Sequence, residues 1–267
     1  MNIKKWGALI AAGVLAASPT LFGCSSGGDQ GSTTSASGTD TGYTLINDGK
    51  LTVAASLDFP PFENLNGDKP EGFAVDLMGL LAEELDLEIN YLPSTKFDTI
   101  VPLVQTGGKT DVGVSSFTIT DKRLQQVDFT DTYCNVNQSI TVRSDSGITD
   151  VSQLEGKKIG AQTGTTGYEW AAENIKDVEM VGFDEMTAVF AALQSGQIDA
   201  VAVDLPVANY YVKSYTDCQV IKEIPTGEQY AIAVSKENPE LTKALNKALQ
   251  AVRDNGKYDE LVAKWLE

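Results

Sequence analysis

The sequence predicts an α/β protein built as two small units of similar design. Three observations predict it. Apolar, strand-length runs alternate with amphipathic, helix-length runs along most of the chain. Two segments echo each other, "VQTGGKTDVGV" at 104–114 and "LQSGQIDAVAV" at 193–203; each passes from a helix end through Gln, a hydroxyl and Gly to Asp and an apolar strand. The chain of 267 residues, 42% hydrophobic, suffices for one large domain or two modest ones. Helix–Gly–strand joins are common, so the echo carries weight only beside the other two.

The elements follow in order. "MNIKK" is a basic start, "WGALIAAGVLAA" an apolar run too short to cross a bilayer, and "SPTLFGC" a small-residue end, so residues 1–23 predict a secretory signal peptide. "KLTVAAS" (50–56) predicts a buried strand, and "DFPPFENLNGDKPEGF" a loop rich in Pro and Gly. "AVDLMGLLAEELDL" puts Leu77, Met78, Leu81 and Leu85 on one helical stripe. "EINYLP" is a strand, "KFDTIVPLVQTGG" a helix with a glycine stop, and "DVGVSS" a third strand. "KKIGAQTGTTGYEWAAENI" repeats strand, loop and helix; "VEMVGF" and "EMTAVFAALQSG" add a strand and a helix. "LTKALNKALQAV" is amphipathic, broken by Asn255–Gly256 before a last helix anchored by Trp265.

Composition narrows the function. The chain carries 20 basic and 37 acidic residues, a net charge of −17. Without residues 1–23, which hold Lys4 and Lys5, 18 basic residues face 37 acidic ones, a net of −19. Such a surface repels nucleic acid and anionic lipid headgroups. There is no histidine, which excludes His-based triads, His-ligated metals and imidazole proton transfer. No metal or cofactor is expected. Cys134 and Cys218 fit either a disulfide of an exported protein or two separate buried thiols.

In open parallel sheets ligands sit outside the carboxyl ends of the strands. Three loops fit that place: "SFTITDKR" after "DVGVS", "TGTTGYEW" after "KKIGAQ", and "DLPVANYY" after "DAVAV". They offer Arg123, the hydroxyls of Ser116, Thr118 and Thr166, helix-start amides near Gly167, and Asp204. An arginine fork with helix-start amides suits a carboxylate, and an aspartate with hydroxyl and carbonyl acceptors suits an ammonium. Side by side, the two charges describe an α-amino acid head group. Taken singly, Arg123 is a solvated helix arginine and Asp204 a helix N-cap.

From about residue 45 to 267 the chain resembles the polar amino-acid family of extracytoplasmic solute-binding proteins of ABC importers, solute-binding protein family 3. The stretches that carry the likeness are "DFPPFE", "GFAVDL", "FDTIVPLVQTG", "SSFTITDKR", "VDFTDTYCNVNQSI", "LEGKKIGAQTGTTGYEW", "IDAVAVDLPVANYY", "EQYAIAVSKENPEL" and "VRDNGKYDELVAKW", in that order. The resemblance implies a two-lobed periplasmic-binding-protein-like fold of type II, each lobe a mixed, mostly parallel sheet flanked by helices. It implies a first lobe at 43–133 plus 231–267, a second at 138–227, and a two-strand hinge near 134–137 and 228–230. "LFGC" resembles a lipobox, with Phe22 bulkier than usual, and implies lipidation of Cys24 after cleavage; residues 24–42 hold no large apolar side chain and read as a flexible tether. The alternative is an ordinary cleaved signal with a floppy start.

By resemblance Arg123 is the carboxylate clamp, Ser116 and Thr118 hold the amino and carboxylate groups by carbonyl and hydroxyl, Thr166 is the carboxylate donor of the second lobe, and Asp204 is the ammonium partner. Phe59 and Phe97 sandwich the ligand side chain. Members that bind basic amino acids or glutamine often carry an acid where this chain has Ser56, and Asp58 is out of that frame. Gln162 and Val203 stand at second-lobe positions that vary with the ligand, and Ala74 replaces an acid at a helix start. An uncharged polar side chain therefore fits better than a cationic one. The expected partners are an L-amino acid and the importer's membrane subunits, with membrane contact only through the lipid and the protein a monomer. Two rivals stand beside transport. A secreted dehydratase on the same fold would use Glu63 or Glu169 as its acid; a sensory module would continue past Glu267.

Overall fold

The computed structural model describes residues 42–267. The predicted signal peptide, Cys24 and the tether up to residue 41 lie outside them. In chain order come β1 (Lys50–Ala54), β2 (Asp58–Phe59), β3 (Glu63–Asn66), β4 (Lys69–Glu71), α1 (Phe73–Glu84), β5 (Glu88–Tyr91), α2 (Phe97–Thr106), β6 (Val112–Thr118), the single turn α3 (Asp121–Leu124), β7 (Asp128–Phe129) and β8 (Cys134–Arg143). A 3-10 turn at Val151–Leu154 precedes β9 (Lys158–Gln162), α4 (Thr166–Asn174), β10 (Glu179–Phe183), α5 (Met186–Gln194), β11 (Ala200–Asp204) and α6 (Leu205–Tyr211). The 17-residue β12 (Cys218–Val234), α7 (Pro239–Asp254) and α8 (Lys257–Trp265) complete the chain.

The main sheet runs β10-β9-β11-β8-β12-β6-β1-β5, with β7 also on β12. Its ends are parallel, β1 with β5 and β6, and β9 with β10 and β11. Its middle is antiparallel: β8 pairs with β11 and β12, and β12 with β6. Thus β8 and β12 join two α/β halves. The first half packs α1, α7 and α8 together over its sheet, and α2 against β6; the second packs α4, α5 and α6 on β9 and β11. Buried Leu77, Met78 and Leu81 of α1 meet the stripe of Leu241, Leu245, Leu249 and Val252 on α7 in one core. The Trp265 indole donates to Asp76 Oδ2 at 2.8 Å and ties α8 to α1.

One expectation changes, and one open alternative closes. The stretch read as a loop folds as a three-stranded antiparallel sheet, β2-β3-β4. Its strands are too short to show a pattern among Pro and Gly. Cys134 and Cys218 are free. They lie at opposite ends of the β8–β12 ladder, where Cys134 faces Tyr230 and Cys218 faces Arg143. At about 3.3 Å per residue the two are roughly 30 Å apart, far beyond disulfide reach.

The hairpin places the start of α1. Gly72, at φ 132°, precedes the helix with no side-chain cap, and the Phe73 and Ala74 amides donate instead to the carbonyls of Pro61 and Phe62 at 2.9 and 3.0 Å. A Cβ on Gly72 would stand 2.2 Å from the Phe62 carbonyl oxygen. Nearby, Ser116 sits near the end of β6 with a left-handed φ of 49°, a conformation that costs a non-glycine residue energy. Glu63 holds it there. Its carboxyl accepts from the Ser116 amide at 2.9 Å and from the Ser116 hydroxyl at 2.9 Å, and it is fully buried. Burial drives this carboxyl up to about 8, against the pull of the Ser116 hydrogen bonds.

Gly72→Ala is therefore expected to destabilise the protein by about 1–3 kcal/mol or more, read as a lower midpoint in urea. An unchanged midpoint would show that the loop yields freely. Glu63 gives a pH signature. The unfolded chain ionises it near 4.5, whereas the folded chain keeps it protonated to about 8. Its contribution is complete below 4.5 and drains away as pH rises through the window, at about 1.4 kcal/mol per pH unit. The stability of Glu63→Gln relative to the unsubstituted protein should climb from pH 5 to 8 and then level off. A pH-independent difference would contradict the assignment.

Candidate functional site

Seven of the predicted residues, together with Thr165, line one small crevice, whose space of about 200 Å³ includes open solvent. Phe59 from β2, Phe97 from the start of α2, Ser116 and Thr118 from β6 and Arg123 from α3 come from the first half. Thr166 at the start of α4 and Asp204 at the end of β11 come from the second. All but the two phenylalanines lie at or just beyond the carboxyl ends of β6, β9 and β11, where an α/β sheet leaves a crevice.

Local sequence aims each group. Thr120 caps α3 by accepting from the Arg123 amide at 3.2 Å, and this single turn folds Arg123 back over the end of β6. The guanidinium donates through Nη1 to the Thr118 carbonyl at 2.7 Å and through Nη2 to the Gly164 carbonyl, in the other half, at 3.0 Å. It lies over the rings of Phe97 and Phe117, 5.4 Å from each centroid. Burial lowers its pKa, opposed by Glu169, Glu228 and Asp204. A guanidinium stays charged through such a shift. Two of its five N–H groups are spent on carbonyls, leaving donors for an anion.

Asp204 stands at the N-cap position of α6 but makes no capping bond. Its Oδ1 accepts from Gln138 Nε2 at 3.0 Å, and the residue is 4% exposed. Burial foremost, then the nearby Glu228, raises its pKa to about 7, with the Tyr230 hydroxyl and, less strongly, Arg123 pulling the other way. On the α4 side, Gly167 leaves no room for a side chain. A Cβ would stand 2.7 Å from Gln138 Oε1 and 3.0 Å from the Ala202 carbonyl, so the start of α4 lies tight against β8 and β11. Thr165 Oγ1 accepts from the Tyr168 amide at 3.2 Å, and the Thr166 and Gly167 amides before it have no intrahelical acceptor.

Beyond Phe59 a second polar group forms. Ser56 Oγ donates to Asp58 Oδ1 at 2.8 Å, Gln162 Nε2 reaches Ser56 Oγ at 3.4 Å and the Asp184 carbonyl at 3.0 Å, and Asp58 Oδ2 accepts from the Met186 amide at the start of α5. Asp58, out of frame by sequence, thus spans both halves, and burial raises its pKa. Val203 does not line the cavity. Its side chain belongs to the core and its carbonyl accepts from Ser139 Oγ at 2.7 Å. Glu63 is occupied with Ser116, and Glu169 pairs with Lys122 at 2.9 Å.

Sequence reasoning passed over Gln138 and Glu228, both on the strands joining the halves. Glu228 Oε2 accepts from the hydroxyls of Thr118 and Thr166, each at 2.6 Å. The only signal was the hinge expected near 134–137 and 228–230, which contains Glu228 and adjoins Gln138. A buried guanidinium on one wall and a buried carboxylate on the other equip the cavity to hold a small zwitterion.

Comparison with known proteins places the chain in a family. The bacterial extracellular solute-binding proteins, family 3, match residues 51–267. A probable histidine-binding protein of Neisseria gonorrhoeae is 32% identical over 99% of this chain and 96% of that protein. An ancestral arginine-binding protein bound to arginine is 37% identical, with a TM-score of 0.74 over 82% of this chain and 99% of that one. The ancestral amino acid-binding protein AncCDT-1, a precursor of cyclohexadienyl dehydratase, is 34% identical, with a TM-score of 0.76 over 82% of this chain and 96% of that one. The chain belongs to the bacterial extracellular solute-binding proteins, family 3.

Proposed function

We propose that this protein captures a polar L-amino acid between its two halves and hands it, chemically unchanged, to the membrane subunits of an ABC importer. One observation carries the reading: Arg123 and Asp204, from opposite halves, are buried in the walls of the same cavity. Arg123 takes the α-carboxylate, aided by the first-turn amides of α4. Asp204 and the Ser116 carbonyl take the ammonium, and Phe59 and Phe97 flank the side chain. The lobes are 43–133 with 231–267, and 138–227, closing about the β8–β12 joint. Cys24 carries the lipid that tethers the protein outside the membrane.

Relatives named for binding histidine and arginine support an amino acid as cargo. The side chain would extend towards Ser56, Asp58 and Gln162, where the Asp58 carboxyl disfavours an acidic ligand. The dehydratase reading has the AncCDT-1 likeness behind it. Against it, Glu63 is fully buried on Ser116, and Glu169 is paired with Lys122 outside the cavity lining.

A thermal-shift screen of the twenty L-amino acids tests the proposal. At a hundredfold excess over Kd the cargo should add about 2.7 kcal/mol, a rise of about 5–10 °C, and be recovered intact. L-glutamate and L-aspartate should give no rise. No response to any L-amino acid, or its consumption, would refute the reading. Asp204→Asn should weaken the cargo about tenfold or more while stabilising the free protein at pH 8. The buried carboxyl, protonated up to about 7 against 3.8 for the ordinary group, costs stability as pH rises through that window. A variant that binds as tightly as the unsubstituted protein would remove Asp204 from the site.

A further inference from the structure

Thr118 and Thr166 line the cavity, and each hydroxyl has only one proton to give. Both give it to the same atom, Oε2 of Glu228, at 2.6 Å. Thr166 Oγ1 in turn accepts from Gln138 Nε2 at 3.2 Å, and the same amide nitrogen donates to Asp204 Oδ1 at 3.0 Å. A continuous chain of hydrogen bonds thus runs from Thr118 in the first half, through Glu228 and Thr166, to Gln138 and Asp204. Its direction is fixed by Glu228, which as a carboxylate can only accept, and by the Gln138 amide, which there can only donate.

We propose that Glu228 is a positioning residue that turns the Thr118 and Thr166 hydroxyls into hydrogen-bond acceptors for the ligand's ammonium. The inference rests on the amino-acid reading above and changes its wiring. The two hydroxyls, expected from the sequence to donate to the carboxylate, present only lone pairs to the cavity. The carboxylate is left to the Arg123 guanidinium and the first-turn amides of α4. The ammonium gains a wall of acceptors made of Asp204, the Ser116 carbonyl and the two threonines. Gln138, by holding both Thr166 and Asp204, keeps that wall in register.

The test separates the two ends of the ligand. L-arginine and L-glutamine are each titrated beside the same molecule without its ammonium, 5-guanidinopentanoic acid and 4-carbamoylbutanoic acid. The proteins are the unsubstituted chain, Glu228→Ala and Glu228→Gln. Calorimetry reads the amino acids, and NMR titration reads the weaker analogues. Glu228→Ala should weaken the amino acid about tenfold or more and leave the deaminated analogue unchanged or bound more tightly, because the freed hydroxyls can then donate to its carboxylate. Glu228→Gln, whose amide oxygen still accepts, should recover most of the amino-acid loss.

Equal losses for amino acid and analogue would overturn the proposal and make Glu228 a structural support. Tighter binding of the amino acid by Glu228→Ala would overturn it too, marking Glu228 as a competitor for the carboxylate site. Should an analogue bind none of the proteins, the loss in Glu228→Ala and its recovery in Glu228→Gln decide. If the unsubstituted protein binds no L-amino acid in the screen, the underlying reading fails, and this proposal with it.

Discussion

Two opposite charges buried in one cleft set the terms for everything around them. A guanidinium or carboxylate removed from water is expensive unless it finds partners. Here each finds only some from the protein. Arg123 has two carbonyls and two aromatic faces, and Asp204 has one amide from Gln138 with the Tyr230 hydroxyl beside it. The capacity left over is directional, since the remaining N–H groups of Arg123 and the remaining lone pairs of Asp204 border one small cavity. Groups fixed in this way lose little freedom when a ligand arrives, and that lowers the cost of binding. The strained Ser116 and its buried partner Glu63 extend the same principle to a backbone carbonyl.

Around that cavity the halves meet through both apolar and polar contacts, with Phe59 of β2 and Met186, Phe190 and Tyr211 of the second half in one buried cluster. Lys96 pairs with Asp184 and Lys122 with Glu169, all of them exposed, and such surface pairs contribute little. Asp58 on the Met186 amide and Arg123 on the Gly164 carbonyl are shielded, but each is a contact between few atoms. A ligand that bridges the halves would add to these contacts and would favour a closed form over an open one.

The sequence made most of this legible where a pattern repeats. Buried strands such as β1 and β11, and the striped helices α1 and α7, announce themselves by periodicity. The cavity residues stood out because hydroxyls, an arginine and an aspartate follow apolar strands. Elsewhere local pattern was silent. β2, β3 and β4 are two to four residues long, too short for any period to show. β12 runs seventeen residues with Pro225 and Gly227 inside it and an exposed, polar middle; only its partners β8 and β6 make it a strand. Val203 follows the alternation of a strand whose neighbour Asp204 meets the cavity, so its own side chain turns into the core. Glu228 was invisible because nothing near it in sequence reveals a meeting with Thr118 and Thr166, 110 and 62 residues away.

That meeting depends on an irregularity in the joint. The β8–β12 register pairs Ile224 with Gln138 and then resumes with Glu228 on Val136, leaving a bulge between them. The bulge is pinned on both sides, the Gln138 amide donating to Thr226 Oγ1 at 3.3 Å and the Gly227 amide to Asn137 Oδ1 at 3.0 Å. Bulges re-aim side chains and bend strands, and this one lies between the residue that gathers both threonines and the residue that holds Asp204. The strands that join the halves therefore also carry part of the recognition machinery. Separating the halves must take at least one threonine away from Glu228. On the proposed reading the full row of acceptors would exist only when the cleft is shut, which would tie the chemistry of recognition to the motion of closure.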